Sequence, residues 1–329
     1  MKVLVTGGGG FLGKAIVRLL LERGDEVRSL ARSHYPELDE MGVDARRGDL
    51  SDAGDVDAVV EGCDAVIHVA AKAGVWGAYE GYYATNVVGT KNVLDACKKH
   101  GVPRLVYTSS PSVVFGTEPL LGVDESVPYP DTYLTHYPNT KAEAERMVLA
   151  ANSDDLHTVS LRPHLIWGPG DNHLVPRIIA RAKAGKLKKV GTGDYPVDSI
   201  YIDNAALAHL QALDALGPDS PVAGKAYFIS QDEPVNVGDL VDRILKSAGL
   251  PPVQKSVPVP VAYAAGWMLE TVYKALGKTE EPMMTRFVAK QLSTAHYFDI
   301  SAAKRDFGYE PLVTIDEGME QLGTWLRDS

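Results

Sequence analysis

A short apolar strand that runs straight into a glycine cluster and then into an amphipathic helix leaves a chain few folds to choose from. Val3, Leu4 and Val5 lead into Thr6-Gly-Gly-Gly-Gly-Phe-Leu-Gly13, after which Ala15, Ile16, Leu19 and Leu20 continue the apolar spacing begun by Phe11 and Leu12. That spacing predicts a helix with one apolar face laid on a sheet, stopping near Gly24. Gly7 permits a tight turn, Gly10 lets backbone approach a pyrophosphate, and Gly13 lets the helix pack close to the strand. The free N–H groups of the helix start face the anion, so Phe11 and Leu12 in that first turn join the expected cofactor contacts. A flexible glycine linker would have neither flanking element.

β-branched runs keep alternating with helical periods through the first half of the chain. Strands are predicted over 3–6, 26–30, 65–69, 105–108 and 158–161, and longer helices over 82–100 and 137–152. Such alternation predicts an α/β fold with a doubly wound parallel sheet of the Rossmann type. After about Pro163 the pattern turns irregular, with Pro251, Pro252, Pro258 and Pro260 and with aromatic residues among shorter helices. The expected division is a dinucleotide-binding domain over 1–165 and a smaller, mainly substrate-binding lobe over 166–329, with 200–235 returning to the Rossmann core.

Composition narrows the partners. A net charge of -10 argues against a broad basic surface for nucleic acid. Cys63 and Cys97 have no CxxC companion, and the nine histidines show no HxH or HExxH spacing, so no metal is expected and a reducing, cytoplasmic setting is. The apolar run at 3–5 is too short for a signal-peptide core, and the uncharged stretch 256–269 is interrupted by Pro258 and Pro260. Residues 259–276 are largely apolar and read as a lid or a membrane-touching helix, although without the basic face that membrane contact favours.

The end of the second strand reads Leu30-Ala31-Arg32-Ser33. NAD-binding sites of this kind place a carboxylate there for the ribose 2′-hydroxyl. Its absence, with Arg32 able to pair with a 2′-phosphate, favours NADP(H); if Arg32 is only a solvated loop cation, NAD(H) is accepted as well. Asp49 and Leu50 stand where the adenine edge would be held, and Asp49 reads equally as a turn residue.

Tyr137-Pro-Asn-Thr-Lys141 sets a phenol and an ammonium four residues apart on one helix face. A nearby lysine charge favours the phenolate and lowers the tyrosine pKa, which suits proton exchange with a carbonyl or alcohol. Thr108-Ser109-Ser110 ends the preceding strand and brings a hydroxyl to the same place.

With these pieces the chain resembles the extended short-chain dehydrogenase/reductase family over essentially its whole length. The matching segments are Thr6 to Gly13, His68-Val-Ala-Ala71, Asn86-Val-Val-Gly-Thr90, Tyr107-Thr-Ser-Ser110, Tyr137 to Lys141, Arg162-Pro163 and Trp167-Gly-Pro169. The resemblance implies Tyr137 as acid/base, Lys141 as its electrostatic partner and ribose ligand, and Ser110 as donor to the substrate oxygen. Ser112 is the alternative serine. It further implies that Asn86, Ala70 and Ala71 lie near the cofactor, that Pro163 meets the nicotinamide, and that hydride passes between the nicotinamide and a carbonyl carbon. A homodimer through the helices at 82–100 and 137–152 is the family's common assembly.

Arg162-Pro-His-Leu-Ile-Trp-Gly-Pro-Gly-Asp171 resembles the branch of 3β-hydroxysteroid dehydrogenases, sterol-4-carboxylate 3-dehydrogenases and bacterial 2-alkyl-3-oxoalkanoate reductases. Two of these substrates carry a carboxylate beside the reacting carbon, and His164 is the candidate to recognise it; the alternative is a backbone contact to the cofactor with the ring merely packed. Trp167, Tyr195, Tyr263, Trp267, Met268, Met283 and Met284 suit a hydrophobic small-molecule ligand or, equally, a core. The expected activity is reduction of a hydrophobic 3-oxo compound, above all a 2-alkyl-3-oxoalkanoic acid, with the steroid dehydrogenases as alternative. Nucleotide-sugar epimerases and dehydratases share the catalytic core, but 195–199 lacks the arginine they tend to carry, and the cations over 177–189 read first as a solvated helix face. A non-enzymatic NADP-sensing module would not keep Tyr137, Lys141 and Ser110 together.

Overall fold

The computed structural model describes residues 1–116 and 118–328. Val3, Leu4 and Val5 of β1 (Lys2–Thr6) are all fully buried, which requires cover on both faces of the sheet. Val3 and Val5 face one apolar layer, where they meet Ile16, Val17 and Leu20 of α1 (Phe11–Glu22); Leu4 faces the other. The sheet goes on with β2 (Glu26–Ala31), β3 (Asp44–Arg47), β4 (Ala65–His68), β5 (Arg104–Thr108), β6 (His157–Pro163) and β7 (Lys225–Ile229). All seven strands are parallel, in the order β7-β6-β5-β4-β1-β2-β3. The order reverses between β1 and β4, and the crevice beyond their carboxyl ends is where such sheets bind nucleotides.

The second layer is built by α2 (Ala53–Val60), α3 (Gly89–His100) and α4 (His136–Ala150). Helix α2 starts on Asp52, whose carboxylate accepts the N–H groups of Gly54 and Asp55. The stretch expected as one helix over 82–100 is helical throughout and starts earlier, at Tyr79; its segment Tyr83–Val88 is π-helical, runs directly into α3 and carries the buried Asn86.

Beyond β6 the chain forms α5 (Leu174–Lys183), α6 (Ile202–Ala215), α7 (Val237–Ser247), α8 (Val259–Ala275), α9 (Arg286–Gln291) and α10 (Ile315–Asp328). Of these, α6 packs on α1 and is followed by edge strand β7, so part of the second half completes the large sheet. A separate four-stranded sheet joins 120–123, 196–197, 235–236 and 296–298. Among the described residues no helix is long and apolar enough to cross a membrane. Tyr263, Trp267 and Met268 lie on the outward face of α8 and are 42%, 57% and 55% exposed, so they are neither core nor cavity lining.

Four buried histidines are held in the neutral form by desolvation: His68 near pKa 3, His209 near 4, and His164 and His296 also below the usual value. The unfolded chain takes up a proton at each below about 6.5, so stability falls as pH drops from that value toward the folded pKa values. Buried Asp198, pushed up to about 7, and Glu125, raised by the same desolvation, act oppositely, as two groups against four. The urea midpoint should therefore fall between about pH 6.5 and pH 4.5; a flat midpoint across that interval would mean the rings are not buried neutral.

Candidate active site

A cleft of 530 Å³ opens at the carboxyl edge of the sheet. Its wall is the glycine turn. Gly7 has φ +72°, and a Cβ on Gly13 would lie 2.1 Å from the Gly7 carbonyl oxygen, so neither position admits a side chain without displacing β1 from α1. Gly10 precedes α1 with no side-chain cap, leaving the first peptide N–H groups of the helix for an anion. Phe11, Leu12, Ala70, Ala71 and Pro163 also line the cleft. The cradle fits the pyrophosphate of a dinucleotide.

At the far end, Arg32 lies exposed on the rim, with Asp49 and Leu50 across from it. Asp49 is held below the ordinary carboxylate range chiefly by hydrogen bonds from Ser51, with a smaller contribution from the charge of Arg32. Its Oδ1 accepts both the N–H and the hydroxyl of Ser51, so Asp49 also closes a turn.

Ser110 leaves the end of β5, while Tyr137 and Lys141 come from the first turns of α4, and Ser110 and Tyr137 both face the cleft. Ser110 Oγ pairs with Ser112 Oγ at 2.9 Å and also hydrogen-bonds Tyr137, so both serines belong to one hydroxyl group cluster. Lys141 is buried, donates to the Thr108 carbonyl at 2.6 Å, and sits 4.1 Å over the Tyr107 ring. Burial pushes its pKa down to about 7, against the opposing charge of Glu145. The expectation of a lowered tyrosine pKa is corrected here. Desolvation raises the Tyr137 pKa, and the Ser110 hydrogen bond offsets only part of that.

Asn86 does not line the cleft. Its Oδ1 accepts the Lys72 N–H at 2.7 Å, and its Nδ2 donates to the Lys72 carbonyl and to Thr140 Oγ1. It thereby ties the loop after β4 to the catalytic helix α4. The loop is fixed a second way, by a relay whose direction follows from its carbonyl end. Thr90 donates to the Asn86 carbonyl, His68 Nε2 to Thr90, Thr6 to His68 Nδ1, and the Ala70 N–H to Thr6.

Four of the residues singled out in the sequence stand elsewhere than expected. His164 is buried among Phe115, His296 and Phe298, with neither ring nitrogen hydrogen-bonded, and it lines none of the cavities. Trp167 is fully buried and donates to Ser199 Oγ against the Tyr201 ring, a core role. Tyr195 packs on Gly191 beside a cavity without lining it, and Ser112 reaches the site only through Ser110.

A second cavity, of 390 Å³, meets the cleft at Ala73, Leu165 and His173. Leu165 holds a left-handed backbone, φ +44°, at that junction. Beyond it the walls are apolar: Leu174 and Ile178 of α5, Leu240 and Val241 of α7, Phe287 and Val288 of α9. Reading the aromatic residues missed this set, whose signal lay in the apolar stripes of α5 and α7. The cavity's cationic rim is tied to the segment before α9: Arg177 pairs with Glu281, Arg181 donates to the Met283 carbonyl, and Trp76 reaches the Lys278 carbonyl.

The comparisons agree with this geometry. Residues 4–260 match the model of the 3-beta hydroxysteroid dehydrogenase/isomerase family. The chain belongs to that family. It is similar to proteins named 2-alkyl-3-oxoalkanoate reductase from Shewanella oneidensis, 54% identical across 97% of this chain and 84% of that protein, and from Stenotrophomonas maltophilia, 53% identical across 98% of each. The mouse sterol-4-alpha-carboxylate 3-dehydrogenase, decarboxylating, is 34% identical across 97% of this chain and 89% of its own length. Among solved structures, gox2253 superposes with a TM-score of 0.79 at 26% identity, covering 99% of this chain and 98% of that one. The NAD complex of the Bacillus cereus UDP-glucuronic acid 4-epimerase, at 21% identity, covers 100% of this chain and 99% of that one; its TM-score of 0.77 speaks to the fold. The chain is thus an oxidoreductase of hydroxyl and carbonyl groups.

Tyr137→Phe should cut turnover roughly 10²- to 10⁴-fold while leaving cofactor affinity nearly unchanged, because it removes the proton donor and leaves the glycine cradle whole. Steady-state rates beside a fluorescence titration of the cofactor check both halves.

Proposed function

We propose that this protein reduces the keto group of a 2-alkyl-3-oxoalkanoic acid with NADPH, giving the 3-hydroxy acid. The observation that carries the reading is the apolar cavity of 390 Å³ that joins, at Ala73, Leu165 and His173, the cleft lined by Ser110 and Tyr137, of a size that encloses a small ligand and of a lining that suits alkyl chains. Two relatives above half identity carry the name of that activity. In this reading the substrate oxygen sits between two hydroxyls. Ser110 donates a hydrogen bond that polarises the carbonyl, Tyr137 Oη delivers the proton, and the Lys141 ammonium favours the phenolate left behind. The nicotinamide, when bound, supplies the hydride. Reduction also removes the 3-oxo group that makes such acids lose carbon dioxide.

A nucleotide-sugar ligand is less well served, since Arg177 and Lys189 at the second cavity are already paired with Glu281 and Asp242. The preference for NADP(H) rests on Arg32 at the rim and on Ala31, where a carboxylate would repel a 2′-phosphate. A homodimer through the outer faces of α3 and α4 fits the same reading, as Tyr79, Tyr83 and His136 cluster there. Two buried free cysteines fit a reducing, cytoplasmic setting.

NADPH oxidation followed with 2-alkyl-3-oxo acids, 3-oxosteroids and nucleotide sugars tests the substrate class. The 3-oxo acids should turn over fastest. Turnover of steroids alone would move the assignment to the hydroxysteroid dehydrogenases, and turnover of a nucleotide sugar alone would defeat it. For the cofactor, Arg32→Ala should weaken NADPH binding by about 1.5 kcal/mol, the low end for a hydrogen bond to a charged group because the side chain is exposed, with NADH little changed. Equal affinity of the unmutated protein for both nucleotides would remove the argument.

A further inference from the structure

A 3-oxo acid brings a carboxylate to within one carbon of the reacting carbonyl, and that charge needs a counter-ion at the mouth of the apolar cavity. His164 cannot serve. Its ring is walled in by aromatic side chains, and desolvation keeps it neutral.

The cations around the joined cavities are mostly spoken for. Lys141 donates to Thr108, Arg177 pairs with Glu281, Arg181 donates to Met283, Lys189 pairs with Asp242, and Lys290 donates to Gly116. Two more lack a hydrogen bond or salt bridge among the described residues, but Arg32 stands at the far end of the cleft and Lys188 lines the second cavity and not the cleft that holds Ser110 and Tyr137. Lys72 lines neither cavity with its own side chain and differs in its place, between Ala71 and Ala73. Its ammonium makes no hydrogen bond or ion pair among the described residues and rests 4.9 Å from the centre of the Tyr82 ring.

The place is built for it. A Cβ on residue 81 would stand 2.5 Å from Lys72 Nζ, so the glycine there leaves a notch that the ammonium occupies. The backbone of Lys72 is clamped at both polar groups by Asn86, which fixes the Cα and leaves only the four-carbon stem free to swing. Its neighbours in sequence bracket the site: Ala71 lines the cofactor cleft, and Ala73 lines both the cleft and the apolar cavity. The Tyr82 ring beneath the ammonium also packs against His136, the residue before Tyr137.

We infer that Lys72 is the residue that recognises the substrate carboxylate, leaving the Gly81 notch to form a charge-assisted hydrogen bond beside the reacting carbonyl. The inference rests on the proposed 3-oxo acid substrate and adds to it the residue that selects acid over neutral ketone.

The test compares kcat/KM for a 2-alkyl-3-oxo acid and for its methyl ester, with NADPH, in the unmutated protein and in Lys72→Met and Lys72→Arg. The acid-to-ester ratio should fall roughly 10- to 100-fold in Lys72→Met, the range for losing a hydrogen bond to a charged group, and Lys72→Arg should recover much of it. A general loss of folding or of Tyr137 alignment would lower both substrates together and leave the ratio alone. A ratio that stays at the unmutated value in Lys72→Met, whether rates fall in parallel or not at all, overturns the inference while the substrate reading stands. An unmutated protein that turns over neither compound, or shows no preference for the acid, overturns the substrate reading itself.

Discussion

What the site depends on is a set of hydrogen bonds that run sideways across the carboxyl edge of the sheet. Main-chain ladders hold the strands to one another, but they end where the cofactor begins. Beyond that point the loop after β4 is held by the relay from Ala70 through Thr6, His68 and Thr90 to Asn86, and by the grip of Asn86 on both polar groups of Lys72. Every member of the relay is deeply buried or at the edge of burial, so a lost partner leaves a desolvated polar group at a cost of about 1–3 kcal/mol. The relay works only with a neutral His68, donating on one side and accepting on the other. Burial enforces that state.

Desolvation also sets the character of the catalytic pair. Lys141 and Tyr137 are both pulled toward their uncharged forms, the lysine to about 7 and the phenol above its ordinary value. A protein that must donate a proton to a carbonyl oxygen benefits from a phenol that keeps its proton until the reaction draws it off. The ammonium meanwhile touches a carbonyl oxygen and a ring face and feels the charge of Glu145, a carboxylate already paired with Arg162. An anion developing at Tyr137 in the reaction would be felt strongly by a lysine whose charge desolvation disfavours.

The first half of the chain was largely legible because its signals are local. Strand periodicity placed β1, β2, β4, β5 and β6 to within two residues at either end, and the glycine spacing located the cleft. The π-helical segment at Tyr83–Val88 carries no such signal, since the run of residues reads as ordinary helix and the hydrogen bonds of Asn86 to Lys72 join positions fourteen apart in the chain. The second half was harder for a different reason. Tyr263, Trp267 and Met268 look like core in composition, whereas the cavity is lined by aliphatic residues from α5, α7 and α9 that come together only in three dimensions. Tyr137 was found by motif, but the direction of its pKa is set first by burial, which no spacing rule contains.

The two sides of the apolar cavity are held in different ways. His296 on its wall belongs to a ring cluster with Phe115, His164 and Phe298, in which His164 meets the other three edge to face and Phe115 stacks on Phe298. The segment before α9 is tied down on the other side by the Arg177 and Glu281 pair and by two side-chain contacts to carbonyls, all at positions open to water. Surface pairs of that kind contribute about 0–1 kcal/mol each and weaken in salt. Packed rings on one side and water-exposed pairs on the other thus border the same space, so added salt acts on one border and leaves the other alone.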